Sequence, residues 1–268
     1  MIELENSTVH SESNDIPSSF MKYENEILYD EFFRNNLEKN KPCLFGAWLT
    51  QNWLASSKWV SAEGTPNCEY LSHAFGEAEV PVANCNQKHF DSHDKKNYIL
   101  KEYLKYFKDN NERAVKSLYL KDWHFTKEFP TVKAYETPSY FGSDWLNEFW
   151  SCRSDANDDY RFVYIGPKES WTPLHTDVFR SFSWSSNICG RKRWVFFAPS
   201  DAPFLNNKYS ELAYDVDHPQ FRDPNQYPKA HLAQGRVEVI QESGETIFVP
   251  SNWHHQVWNL QLSYLLFL

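Results

Sequence analysis

Glycine is scarce, at 8 of 268 residues, which excludes a collagen-like or flexible low-complexity chain. No stretch approaches the ~18–20 consecutive apolar residues that a bilayer-crossing helix needs. A basic surplus is missing too: 36 acidic residues against 27 basic ones leave a formal charge of -9. That balance argues against direct nucleic-acid binding and against an anionic membrane surface as partner. Five cysteines (Cys43, Cys68, Cys85, Cys152, Cys189) are odd in number and never spaced C-x-x-C. A disulfide scaffold and a structural zinc site are therefore disfavoured, and reduced, mostly buried thiols are expected. The first 19 residues have neither a basic start nor an apolar run, so no secretory leader is expected.

Aromatics are abundant, with 20 Phe, 15 Tyr and 11 Trp, and aromatics favour sheet. The chain divides into a polar disordered tail (1–21), an α/β flank (22–150) and a strand-rich core (151–268). In the flank, helical spacing covers Glu26–Leu37, Thr50–Val60 with Thr50 as N-cap, and Asn97–Phe107. Trp145–Trp150 is a further helix, capped by Ser143. Lys41–Leu49, Val80–Ala83 and Ser117–Leu120 read as strands, and charged His89–Lys96 as a solvated loop. Beyond Tyr160, short apolar strands are punctuated by Gly166-Pro167, Gly190, Pro199, Gly244 and Pro250. That texture predicts a mainly β barrel or sandwich with flanking helices. Polar Ser200–Ala230 interrupts it as a functional or partner-facing insertion.

His175 and Asp177 stand two apart, so on a strand their side chains project to one side. With one distant histidine they would form the two-His, one-carboxylate face of a non-haem Fe(II) site. The pattern alone is weak, because His89-Phe90-Asp91 repeats it; that copy lies among charges and reads as surface. Lys192, within Arg191-Lys192-Arg193, is either a solvated cation at a strand edge or an inward ammonium for a carboxylate. His254 and His255 are adjacent, face opposite ways on a strand, and can supply only one ligand between them.

Three blocks together carry a resemblance: Thr172-Pro173-Leu174-His175-Thr176-Asp177, Gly190-Arg191-Lys192, and Gly244 to His255 (GETIFVPSNWHH). The chain resembles the Jumonji-C family of Fe(II)- and 2-oxoglutarate-dependent oxygenases, especially its small protein-hydroxylase branch. The resemblance implies a double-stranded β-helix core of the cupin or jelly-roll kind. It also implies iron ligation by His175, Asp177 and His255, the last standing five residues after Pro250. Lys192 would bind the distal carboxylate of 2-oxoglutarate, with Thr172 and Tyr119 hydrogen-bonding the same cosubstrate. Tyr119 can equally be a packed strand aromatic. Asn259 matches a polar position near the iron, and Ser185 a cosubstrate-facing position.

The same resemblance implies a cytoplasmic enzyme, with the nucleus as a second compartment, that hydroxylates a lysine in a peptide-chain release factor. A lysine demethylase and a catalytically silent cupin are the competing readings. One departure concerns the C-terminus. Relatives continue past Asn259 with a polar-tipped strand, whereas this chain reads Leu260-Gln261-Leu262-Ser263-Tyr264-Leu265-Leu266-Phe267-Leu268. A core truncated at its C-terminal end is therefore expected.

Overall fold

Successive apolar segments alternate between two facing sheets. The computed structural model describes residues 20–109, 117–153, 155, 159–261 and 263–267, the last five by backbone alone. In chain order the strands are β1 (Met21–Tyr23), β2 (Cys43–Phe45), β3 (Glu79–His89), β4 (Ser92–Ile99), β5 (Leu118–Trp123), β6 (Phe162–Gly166) and β7 (Trp171–His175). They continue with β8 (Ser183–Cys189), β9 (Lys192–Phe197), β10 (Val237–Gln241), β11 (Thr246–Val249), β12 (His254–Asn259) and β13 (Ser263–Phe267). One sheet runs β1-β2-β11-β8-β13-β6-β5-β3-β4 and the other β10-β9-β12-β7. From β6 to β9 the chain steps from sheet to sheet. It reverses through residues 198–236 and steps back from β10 to β13. This is the jelly-roll path expected of a double-stranded β-helix.

The space between the sheets is filled by the inward faces of four strands. Trp194 and Phe196 of β9 and Val257 of β12 meet Ile247 and Val249 of β11, with Leu44 of β2 beneath them. Residues two apart on a strand share a face, so Lys192 lies inward with Trp194 and Phe196, and Asn259 inward with His255 and Val257. The closing strand β13 is present between β6 and β8.

Several expectations change. The tail boundary moves back, because Phe20 packs its ring against Phe196 and Met21 opens β1; residues 1–19 lie outside the described residues. Charged His89–Lys96 is not a loop but the turn and first part of the second strand of a hairpin, with Phe90 at φ 50 in the turn. Edge strands carry charge to discourage pairing with other chains, and that charge mimics a loop. Thr50 is no helix cap; its hydroxyl donates to the Gly244 carbonyl at 2.7 Å, while the helix Leu54–Lys58 starts without a side-chain cap. Asp144, not Ser143, caps Trp145–Ser151 by accepting from the Asn147 amide at 3.0 Å. The helix after β4 spans Leu100–Asp109 and buries Leu100, Tyr103, Leu104 and Phe107, while Asn97–Ile99, expected as its first turn, close β4 instead. The Ser200–Ala230 insertion folds back on the core, burying Leu205, Ala213, Val216 and Phe221 against Leu174, Val195 and Phe197.

Candidate metal centre

β7 and β12 are antiparallel neighbours, and His175 stands directly opposite His255. Their ring centres are 4.3 Å apart. Asp177 follows β7 by two residues and brings Oδ1 to 3.9 Å from His255 Nε2. One ligand atom from each of the three side chains lies within 4.8 Å of the others.

The remaining atoms of these side chains are occupied in a way that exposes the right lone pairs. His175 Nδ1 is 2.8 Å from the Pro173 carbonyl, and His255 Nδ1 is 3.2 Å from the Trp253 carbonyl. A carbonyl only accepts, so each Nδ1 carries the proton and each Nε2 keeps a lone pair, as metal-binding imidazoles require. Ser183 Oγ donates to Asp177 Oδ2 at 2.6 Å, leaving Oδ1 toward the histidines. Burial pushes the His175 ring down to about 3, helped by the adjacent His255 ring. Burial takes His255 to about 4, and it raises the Asp177 carboxyl.

Lys192 lies further along the same interior. It opposes Asn259 across β9 and β12 and is fully buried. Its ammonium donates to Asn259 Oδ1 at 2.5 Å and to Tyr119 Oη at 3.5 Å. No carboxylate pairs with it among the described residues, and burial pushes it down to about 7. A buried, uncompensated ammonium is costly and is complementary to a ligand carboxylate.

The remaining candidates fall into place unevenly. Thr172 is three residues from His175, which on a regular strand puts the two on opposite faces. A bulge changes this: His175 and Thr172 face His255 and Val257, so three steps on β7 match two on β12. Pro173 has no amide hydrogen and sits within that bulge, while the Leu174 amide donates to the Tyr214 carbonyl of the insertion. Thr172 thereby joins the face of His175. Ser185 shares the inward face of Ser183, and its buried Oγ has no partner among the described residues. Asn259, expected near the iron, instead holds Lys192. It stands four steps along the strand from His255, a distance of ~13 Å at ~3.3 Å per residue. His89 and Asp91 lie exposed at the β3–β4 turn, away from the core. His254 faces the other side of β12, opposite Phe197.

Ser183 was not singled out in the sequence. The signal for it was available: Ser183, Ser185 and Asn187 put polar groups on alternate positions of a fully buried strand. The donor set suits a divalent ion, and the uncompensated lysine with the unpartnered Ser185 hydroxyl suits an anionic ligand beside it.

Residues 29–266 match the family described as cupin-like domain. A 2-oxoglutarate and iron-dependent oxygenase of Danio rerio, JMJD4, is 49% identical over 249 residues, which is 91% of this chain and 58% of the relative. The Homo sapiens JMJD4 is 43% identical over 246 residues, 90% of this chain and 58% of the relative. An arginine-specific demethylase of Arabidopsis thaliana, JMJ20, is 41% identical over 253 residues, covering 88% and 53%. The chain spans little more than half the length of these curated relatives.

Proposed function

Because the chain belongs to the cupin-like domain family, in its Jumonji-C branch, we propose that it is a Fe(II)- and 2-oxoglutarate-dependent protein hydroxylase. The observation that carries this reading is the convergence of His175, Asp177 and His255 within 4.8 Å, on the same interior as a buried lysine without a counter-ion. His175 Nε2, His255 Nε2 and Asp177 Oδ1 would hold the metal, leaving one side open for the cosubstrate and oxygen. When bound, iron and 2-oxoglutarate supply the oxidising power that inserts oxygen into a carbon–hydrogen bond.

The protein's own part is positioning. Carbonyls of Pro173 and Trp253 fix the two imidazole tautomers, and Ser183 fixes the Asp177 rotamer. Lys192, steadied by Asn259 and Tyr119, would take the distal carboxylate, with Thr172 and Ser185 offering hydroxyls along the way. Trp194 and Phe196, at 5.6 and 5.8 Å from the His255 ring, keep water from that side of the ligands.

The substrate we propose is a lysine side chain in a peptide-chain release factor, met in the cytoplasm and in the nucleus. The formal charge of -9 supports a basic target segment through electrostatic complementarity. The arginine-demethylase name of one relative keeps an N-methyl substrate as the second reading. Incubating iron-loaded protein with matched unmethylated and methylated peptides, followed by mass spectrometry, separates the readings. Gain of one oxygen on an unmodified lysine supports hydroxylation, and loss of a methyl group supports demethylation. Absence of any succinate would leave a binding module.

A further inference from the structure

Beyond the Lys192 anchor, the inward face of β6 is aromatic. A Cβ on Gly166 would meet Asn259 and Tyr119, so Gly166 points between the sheets, and alternation turns Tyr164 and Phe162 the same way. Register fixes their level. Phe162 lies opposite Phe267 of β13, which lies opposite Ser185 of β8, two residues from the Ser183 that holds Asp177. Both rings face inward yet stay partly exposed, so the interior is open along them.

The row continues outward. Ring centres step from Tyr119 to Tyr164 at 6.1 Å, to Phe162 at 6.3 Å, to Tyr160 at 6.4 Å and to Phe179 at 6.1 Å. Phe179 stands two residues after the ligand Asp177 and is 75% exposed. Its backbone is left-handed at φ 54, as is that of Arg180 at φ 55, a region that bulky side chains seldom adopt. Three hydrogen bonds hold this turn. The Arg180 amide donates to the Asp177 carbonyl at 2.9 Å, and the Ser181 amide to the Val178 carbonyl at 3.0 Å. The Ser251 hydroxyl donates to the Arg180 carbonyl at 2.7 Å. Ser251 lies in the loop leading into His255, so segments carrying two of the ligands together present the exposed ring. Strain retained in this way is characteristic of functional sites. Tyr160 is pinned as well: its amide donates to Asn147 Oδ1 at 2.8 Å, and its ring meets Trp150 at 5.9 Å. Trp150 and Phe149 in turn receive the Arg153 guanidinium at 5.1 and 5.7 Å, so the outer end of the row already holds a cation over its rings. The segment 144–161 that carries this end has five acidic residues against Arg153, Arg161 and, on the neighbouring turn, Arg180.

We infer that Phe162, Tyr160 and Phe179 form the wall along which a long basic side chain of a polypeptide substrate reaches the metal, with Phe179 as the residue that selects it. The inference rests on the hydroxylase reading above and deepens it by assigning the residues that recognise the substrate. Aromatic faces attract a cation and cover the methylene stem that carries it. The acidic surplus at the rim favours a basic segment over an acidic one.

The test measures, by fluorescence anisotropy, the binding of labelled Gly-Ser host peptides to protein loaded with Mn(II) and 2-oxoglutarate. The peptides are identical except for a central lysine or its uncharged analogue norleucine. Wild type should bind the lysine peptide about fivefold or more tightly than the norleucine peptide. Phe179→Gly accepts the left-handed backbone without strain, so it should melt no lower than wild type yet bind the lysine peptide about fivefold or more weakly. Phe179→Trp, which keeps an aromatic face, should bind it within about threefold of wild type. Tyr160→Leu should lose the preference for lysine over norleucine. Lysine binding no tighter than norleucine binding in wild type, or wild-type lysine affinity in Phe179→Gly, would overturn the inference. Succinate formation by iron-loaded wild type reads the oxygenase proposal separately. A lysine preference lost in Phe179→Gly, with no succinate from wild type, keeps the wall and removes the oxygenase. Succinate without any lysine preference removes the wall and keeps the oxygenase.

Discussion

Nδ1 of His175, Nδ1 of His255 and Oδ2 of Asp177 are each held by a partner, and those three bonds aim the remaining atoms at a common point. Ser183→Ala, which frees Asp177 Oδ2, should lower metal affinity about 10–100-fold while leaving the fold intact; metal titration of the purified variant checks it. Lys192 carries a different signature. Its ammonium keeps a proton to 10.5 in the unfolded chain but only to about 7 when folded. Between those pH values the unfolded state binds more protons, so the stability of ligand-free protein rises as pH climbs from about 7. Lys192→Met should abolish that rise in denaturant titrations and stabilise the ligand-free protein by about 1–4 kcal/mol at neutral pH. In wild type, the affinity for 2-oxoglutarate should fall about tenfold per pH unit above 7, because the carboxylate needs the protonated lysine. Calorimetric titration from pH 6 to 9 reads this directly, and a flat profile would count against Lys192 as anchor.

At the scale of elements, register decides which side chains meet. The inward set of β12, His255, Val257 and Asn259, follows from strict alternation, but alternation left the choice between His254 and His255 and the direction of Lys192 open, and the family resemblance made both choices. Thr172 was legible only through family resemblance, because its parity with His175 depends on the β7 bulge, and bulges leave no periodic trace. Asn259 was expected near the iron from the family resemblance alone; in the strand it stands opposite Lys192 and accepts from its ammonium. The β3–β4 hairpin was hidden by its charges, which sit on an exposed edge while Val80 and Val82 stay buried. Gly166, at the end of β6, supports the anchor: a Cβ there would lie 2.5 Å from Asn259 Nδ2, 2.5 Å from Ser170 Oγ and 2.6 Å from Tyr119 Cδ2. Gly166→Ala should therefore cost about 1–3 kcal/mol and raise the 2-oxoglutarate KM more than it lowers kcat. Melting curves and steady-state kinetics together check both parts.

For the whole molecule, the jelly-roll path brings residues from the two ends of the core into one strand pair, so the site exists only when the barrel has closed. A metal bound there stabilises the folded state. At a hundredfold excess over Kd the gain is about 2.7 kcal/mol, or a rise of about 5–10 °C in Tm for a chain of this length. Chelator should reverse it, and Asp177→Ala should show none. The most direct test of the account is anaerobic equilibrium dialysis of Fe(II) against wild type and single alanine variants. One equivalent should bind to wild type, His89→Ala and His254→Ala, with affinity falling about a hundredfold or more in His175→Ala, Asp177→Ala and His255→Ala. Undiminished binding in any of those three, or loss of binding in His89→Ala or His254→Ala, would contradict it.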